Sequence, residues 1–315
     1  VTQLNPANNQ PKSTLSGIIS LSRWKEQLPL ATLTVLGALV AFSVSENTQL
    51  DWRLFFVTAA NFLAVTFAFM INDVEDAEDD AKNFYSSKRN PVSNGTLDIK
   101  TAWIASLIVA ALSIFFYAIA SLDGHPLVLI VGIVNVVLSL FYSWKPVRLK
   151  SSSIGLDILS HVLILSGMLV LTGYLTYSTE FHTAILMMFL ACVLGSAYGQ
   201  LYNQIRDFET DQEAGIMNIT IRMGKPLTWI VAYTALAVTI FCGFQAFASM
   251  DYPSWLVWVV LGSTAFGFGY VWFYGNNVDA SGKPAMDITG RLQIGVWFAL
   301  AISVTLWVIY AMGYL

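Results

Sequence analysis

Nine stretches of this chain are long and apolar enough to cross a bilayer as helices, and nothing else in the sequence constrains the fold so tightly. Crossing about 30 Å of hydrocarbon takes roughly 20 residues. The stretches run approximately from Leu28 to Val44, Leu54 to Ile71, Ala102 to Leu122, Pro126 to Tyr142, and Ile154 to Tyr177. The other four run from His182 to Gln204, Leu227 to Met250, Ser254 to Tyr274, and Leu292 to Tyr314. Only 11% of the 315 residues are charged, against about 25% in a soluble domain. The sequence therefore predicts an all-α integral membrane protein with nine transmembrane helices and the lipid bilayer as its main partner. No nucleic-acid partner is expected.

The charges are segregated by position. Counting the gaps alternately from the N-terminus puts fifteen of the sixteen Lys and Arg residues on one side, with Arg53 alone on the other. Basic residues mark the cytoplasmic side. The expected topology thus has a cytoplasmic N-terminus and an external C-terminus. The external links (Ser45 to Arg53, Asp123 to His125, Ser178 to Phe181, Asp251 to Pro253) are short, whereas the opposite links are longer and charged. Residues 1–26 read as a polar tail and an interfacial helix: Thr14 to Glu26 alternates apolar and polar residues at helical spacing and carries Trp24. Residues 27–315 read as one nine-helix membrane domain. No cleavable leader is expected in the first 20 residues, which contain no long apolar core. Cys192 and Cys242 both lie inside apolar runs, which argues against a disulfide framework or a cysteine zinc site.

Two acidic clusters stand out. At the end of the second span the chain reads FMINDVEDAEDDAKNFYSSKRNPVSNG, placing Asn72, Asp76 and Asp80 four residues apart. On a helix each such step advances only about 40°, so the three side chains form one stripe. The sixth span ends in LYNQIRDFETDQEAG, where Asn203, Asp207 and Asp211 repeat the spacing at the same membrane face. Asp73, Glu75, Glu78 and Asp79 fall mostly on other faces, where solvated charge is expected; Asp73 is close enough to the stripe to be grouped with it. Like charges at i,i+4 destabilise a helix unless compensated. A hard cation with oxygen ligands would compensate them. Mg2+ binds through one or two carboxylates together with substrate phosphates, so two facing stripes could hold a diphosphate between metal ions.

These residues resemble the signatures of the UbiA superfamily of intramembrane prenyltransferases. The likeness lies in NDxxDxxxD at Asn72 to Asp80, DxxxD at Asp207 to Asp211, the nine spans, and YSWKPVRLK at Tyr142 to Lys150, similar to a YSxxPxRLK loop after the fourth span. One departure is the segment KRNPVSNG, Lys88 to Gly95, where the family often has an Arg-Pro pair. The resemblance implies a helical bundle around a central cavity, with both Asp-rich motifs near its cytoplasmic mouth and a lipid-facing opening for a prenyl tail.

The expected chemistry is Mg2+-dependent prenyl transfer. The allylic C–O bond of a prenyl diphosphate ionises, the departing diphosphate is stabilised by metal and cations, and a lipophilic or aromatic acceptor takes the prenyl group. Metal ligation is assigned to Asn72, Asp73, Asp76, Asp80, Asn203, Asp207 and Asp211, with two Mg2+ ions expected to bridge the diphosphate. Diphosphate contacts are assigned to Lys88, Arg89, Arg148 and Lys150, then to Arg23, Lys145 and Arg206, with Lys25 in reserve. Tyr142, Tyr198 and Tyr202 lie near the metal ends of their spans and are candidates to line the cation's apolar chamber. Asp157 and His161, one turn apart in the fifth span, are candidates to orient the acceptor or remove its proton. A terpene cyclase would carry the same metal motifs. A cation-coupled transporter would place its acids near the midplane, where these spans have almost none. Nothing in the residues selects the acceptor.

Overall fold

The computed structural model describes residues 13–45, 48–82, 84–122, 125–152, 155–213 and 215–314, with the backbone alone at 84 and 85. The polar tail up to Lys12, part of the links at 46–47 and 123–124, and the expected start of the fifth span at Ile154 lie outside these residues.

Among the described residues nine helical stretches have the length and hydropathy of membrane spans. In chain order they are α2 (Trp24–Val44), α3 (Trp52–Glu75), α6 (Ile99–Ala120), α7 (Pro126–Ser143), the composite span Leu156–Leu175, α10 (Thr183–Arg206), α13 (Lys225–Ala248), α14 (Trp255–Tyr274) and α15 (Ile288–Ala311). The short helices are α1 (Thr14–Ser22), α4 (Ala77–Asp80), α5 (Phe84–Arg89), α11 (Phe208–Glu213) and α12 (Ile219–Met223). The composite span is α8 (Leu156–Val162), one π turn (Leu163–Gly167) and α9 (Met168–Leu175). Helices are the expected solution, since backbone polar groups in lipid must be satisfied within their own segment.

Helix ends differ from the apolar runs because polar caps, rather than hydrophobicity, set them. The Asp51 carboxylate accepts from Arg53 N at 3.0 Å and starts α3. Asp98 accepts from Lys100 N and Thr101 N at 3.0 and 3.1 Å and starts α6. Asp287 accepts from Gly290 N at 2.9 Å, so α15 begins at Ile288 rather than Leu292. The first span begins at Trp24 rather than Leu28. The chain turns there at Arg23, whose φ of 47° is left-handed, so the interfacial helix expected over Thr14 to Glu26 stops at Ser22. Leu21 of α1 is buried with Met70, Val74, Leu97 and Ala102, tucking that helix under the second and third spans. Leu15 and Ile19 remain exposed, an apolar face suited to the interface.

With lipid on the outside as apolar as the core, close backbone approach and buried polar contacts hold such a bundle together. A Cβ on Gly37 would collide with the carbonyl oxygen of Val170, and one on Gly173 with that of Thr34. Thus α2 and α9 cross backbone against backbone. Gly267 and Gly295 give α14 and α15 a second crossing of this kind: a Cβ on Gly267 would sit 2.5 Å from Gly295 O. Beside the first crossing, Asn61 Nδ2 donates to Thr34 Oγ1 and Thr172 Oγ1, both at 2.8 Å, and its Oδ1 accepts from the Tyr117 hydroxyl. Four spans meet at this one amide.

Replacing Gly173 by Val should force α2 from α9 and cost on the order of 1–3 kcal/mol. Gly262→Ala, with nothing within 4 Å of its added carbon, should be nearly neutral. Thermal unfolding in detergent compares them; equal melting temperatures would rule out the crossing.

Candidate active site

Both acidic motifs end even-numbered spans, so they emerge at the same end of the bundle. Neither lies on one uninterrupted helix. The chain leaves helical geometry at the central aspartate of each: Asp76 has φ −88° and ψ 0°, and Asp207 has φ −90° and ψ 8°. The i,i+4 hydrogen bonds nevertheless continue through both turns. Asp76 N donates to Asn72 O at 2.9 Å and Asp80 N to Asp76 O at 2.8 Å; Asp207 N and Asp211 N make the corresponding bonds at 3.0 and 2.9 Å. The four-residue spacing therefore survives a bend that places the third aspartate on a short helix beyond the span.

In the first motif every polar side chain has a specific surrounding. Lys150 Nζ donates to Asn72 Oδ1 at 2.8 Å and to Asp76 Oδ2 at 2.6 Å, while Ser143 Oγ lies 3.2 Å from the same Asn72 oxygen. Arg148, itself left-handed at φ 44°, bridges Asp76 at 3.0 Å and Asp79 at 3.1 Å. Lys145 pairs with Glu78 at 2.7 Å. The basic loop after the fourth span thus folds onto the motif, its cations, assigned to diphosphate contacts, standing against the motif's own side chains. Asp79 is held below the usual carboxylate range chiefly by its hydrogen bond from Arg148. Burial pulls Lys150 below the usual ammonium range, against the opposing pull of Asp76.

One acid expected to be solvated, Glu75, and one grouped with the metal stripe, Asp73, are both buried. Glu75 is buried and accepts from Lys145 N at 2.8 Å. Asp73 is fully buried, with neither oxygen hydrogen-bonded; Arg23 and Arg89 stand at 3.6 and 3.7 Å. The end of α3 is covered from two sides: Arg23, Arg89 and Asn90 close on Asp73, and the loop after α7 reaches Glu75 through Lys145 N. The segment that differs from the family's usual Arg-Pro also gains a reason here. Asn90, just before Pro91, is fully buried and donates to the Asp73 carbonyl at 2.6 Å.

In the second motif Asp207 contacts Arg206 at 3.1 Å and Lys283 at 3.1 Å. Burial acts to raise the Asp207 carboxyl, but these two cations outweigh it and hold it low. Burial, reinforced by the Asp207 charge, pushes Asp211 up. Arg206 also pairs with buried Asp279 and lies 3.1 Å from Ser281 Oγ. The loop before the last span therefore forms part of this motif's surroundings. Lys283 and Asp279 were missed as site residues because that loop carries no recurring spacing. Asn203 is partly buried, one turn before Asp207.

A cavity of about 170 Å³ joins the two halves, lined by Arg23, Ala68, Phe69, Asn72, Tyr142, His161, Ile164, Leu165 and Gln200. Asn72 belongs to the first motif and Gln200 lies one turn before Asn203, so the helices of both motifs wall the same space. Tyr142 and His161 face each other with ring centroids 6.1 Å apart. Asp157 is not hydrogen-bonded to His161: its Oδ2 accepts from Gln204 Nε2 at 2.8 Å and its Oδ1 has no hydrogen-bond partner. Gln204 Oε1 in turn accepts from Thr220 at 2.8 Å. Tyr198 and Tyr202 turn away from the cavity. Their hydroxyls engage Thr289 and Met286 N, and their rings pack near Tyr233 and Trp229. Lys88 and Lys25 are exposed.

The donors are nearly all oxygen atoms, the chemistry of a hard divalent cation. The hydrogen-bond-free buried carboxylate of Asp73 is the kind of group such an ion would satisfy. No three His, Cys, Asp or Glu side chains among the described residues converge on one metal-sized point; Lys, Arg and Asn side chains stand against the motif carboxylates instead.

The UbiA prenyltransferase family matches residues 33–289. Among solved structures, the chain is similar to a UbiA homolog from Archaeoglobus fulgidus bound to GPP and Mg2+, at 18% identity and TM-score 0.67, over 95% of this chain and 99% of that one. It is also similar to an apo UbiA homolog from Aeropyrum pernix K1, at 16% identity and TM-score 0.65, over 94% and 98%. A third likeness is to a digeranylgeranylglyceryl phosphate synthase in membranes, at 17% identity and TM-score 0.63, over 95% and 99%. These structural matches establish a shared fold. No curated protein sequence matches the chain.

Gln204→Leu should leave buried Asp157 without its donor and cost about 2 kcal/mol. Adding Asp157→Leu should recover most of that loss, because the buried acceptor left without its donor is then removed as well. Denaturation of both variants in detergent measures this; a double variant no more stable than Gln204→Leu would argue against it.

Proposed function

The chain belongs to the UbiA prenyltransferase family and is an intramembrane prenyltransferase, and we propose that it ionises a prenyl diphosphate held by Mg2+ and passes the prenyl group to a lipophilic or aromatic acceptor. The observation that carries this reading is the shared cavity: Asn72 lines one side and Gln200, one turn from the second motif, lines another. The A. fulgidus homolog bound to GPP and Mg2+ supports the same assignment of substrate and metal.

In this reading Asn72, Asp73, Asp76 and Asp80 hold one metal ion and Asn203, Asp207 and Asp211 a second. Mg2+, when bound, neutralises charge developing on the departing diphosphate oxygens. Arg148 and Lys150, already docked on Asp76, exchange their carboxylate partner for the diphosphate; Lys145, Arg206, Arg23, Arg89 and Lys88 add positive charge around it. Such preorganised donors act most strongly where water is excluded.

The apolar walls from Ala68, Phe69, Ile164 and Leu165 shield the allylic carbon from water, which would otherwise capture the cation. Tyr142 presents an aromatic face to that charge. His161, across from Tyr142, accepts a proton from an acceptor hydroxyl or ring carbon in this reading, which its position in the cavity wall supports. Tyr198 and Tyr202 contribute by supporting α10, not by contacting the cation. The basic residues around both motifs favour a site facing the cytoplasm.

The test is release of diphosphate from labelled prenyl diphosphates of graded length, with and without candidate acceptors. Activity should vanish with EDTA and return with Mg2+. Asp76→Ala and Asp207→Ala should each lower kcat by about 100-fold or more. A cyclic product formed without acceptor would replace the transferase outcome by a cyclase one. Release unaffected by chelation would overturn the metal-dependent mechanism.

A further inference from the structure

The distal aspartates, Asp80 and Asp211, have partners unlike those of the central aspartates. Asp76 and Asp207 are contacted by Lys and Arg side chains. Each distal carboxylate instead accepts from a neutral amide. Asn90 Nδ2 lies 2.9 Å from Asp80 Oδ2, and Asn218 Nδ2 lies 2.9 Å from Asp211 Oδ2.

Both amides are buried, at 0% and 4% exposure, and both are fixed in orientation by their other bonds. Asn90 Oδ1 accepts from Val92 N at 3.0 Å and Ser93 N at 3.4 Å. Asn218 Oδ1 accepts from Ile221 N at 2.9 Å and caps α12. Flipping either amide would set its NH2 against backbone N–H donors, so the NH2 must point at the carboxylate. The two asparagines follow their aspartates by 10 and 7 residues, so the likeness is one of geometry and not of a copied loop. A neutral donor fixes a carboxylate's direction without cancelling its charge. A lysine in the same place would do both.

We infer that Asn90 and Asn218 are positioning residues that orient Asp80 and Asp211 for metal coordination, an inference that rests on the metal-dependent reading above. Each holds one carboxylate oxygen so that the other is aimed before the ion arrives. Outer partners of this kind typically change metal affinity by about 10- to 100-fold when removed.

Serine is the informative replacement. Its hydroxyl can still accept from the backbone N–H groups and keep the turn or cap, but it is too short to reach the aspartate. The probe is Mn2+ with inorganic diphosphate, titrated into the full chain in detergent and followed by electron paramagnetic resonance. Asn90→Ser and Asn218→Ser should each raise the Mn2+ dissociation constant about 10-fold or more; without metal the unfolding temperature should change little for Asn218→Ser and fall for Asn90→Ser, which also loses its bond to the Asp73 carbonyl. A thermodynamic cycle separates positioning from general loosening: in an Asp80→Ala background, Asn90→Ser should change Mn2+ affinity no further, and likewise Asn218→Ser in Asp211→Ala. Wild-type affinity in both serine variants, or an undiminished loss in the alanine backgrounds, overturns the positioning role alone. Absence of saturable Mn2+ binding by the wild type overturns the metal-dependent reading, and this inference with it.

Discussion

Uncompensated carboxylates at the edge of a low-dielectric bundle are costly, and much of this molecule's site end is arranged to meet that cost. The acids of α3 and its extension draw in Arg23 from the α1–α2 junction, Arg89 from α5, and Lys145, Arg148 and Lys150 from the loop after α7. Those of α10 and its extension draw in Lys283 from the loop before α15, and Arg206 ties the same loop through Asp279. Loops that would otherwise be loosely attached at a membrane surface are thereby fastened to the two helices that carry the motifs. The electrostatic demand of the site and the order of its surrounding loops are the same problem.

The sequence reading succeeded where one property dictates structure directly. An apolar run of about 20 residues has few options besides a membrane helix, so all nine spans were legible. The basic loop at Lys145 to Lys150 was read for diphosphate contacts; its pairing with the motif's own acids depends on how the loop folds back, which its composition leaves open. The bends at Asp76 and Asp207 were not legible. The i,i+4 bonds pass through both turns, so the residue spacing is the same with or without the bend. Burial of Asp73 goes with Arg23, Arg89 and Asn90 closing on it, and burial of Glu75 with the loop after α7, contacts that no local pattern encodes. Tyr198 and Tyr202 sit at the expected depth on α10, with their hydroxyls bonded to Thr289 and Met286 N and neither side chain lining the cavity. Depth can be counted along a helix; direction depends on which neighbours pack against it.

The two motifs also differ in a way their matching spacing conceals. The first gathers its cations from segments both before and after it in the chain, whereas the second draws on Arg206 within the motif and, after it, Lys225 of α13 and Lys283. Asp73, the buried carboxylate without a hydrogen bond, has no counterpart in the second motif, where Gln204 occupies the corresponding position. That amide reaches across to Asp157 on the fifth span and to Thr220 on α12. One motif is thus anchored by charge and the other partly by a neutral relay.

The paired glycine crossings bear on how a membrane-embedded substrate can get in. Backbones that touch cannot slide or part without losing many contacts at once, so α2 with α9, and α14 with α15, behave as two stiff planks. Seams joined only by side chains can yield by rotamer changes, as a door gives at its weatherstrip before its frame. Any lateral opening of the bundle would therefore cost least at a seam between planks and most within one, which makes the placement of four glycines a constraint on where the bundle can part.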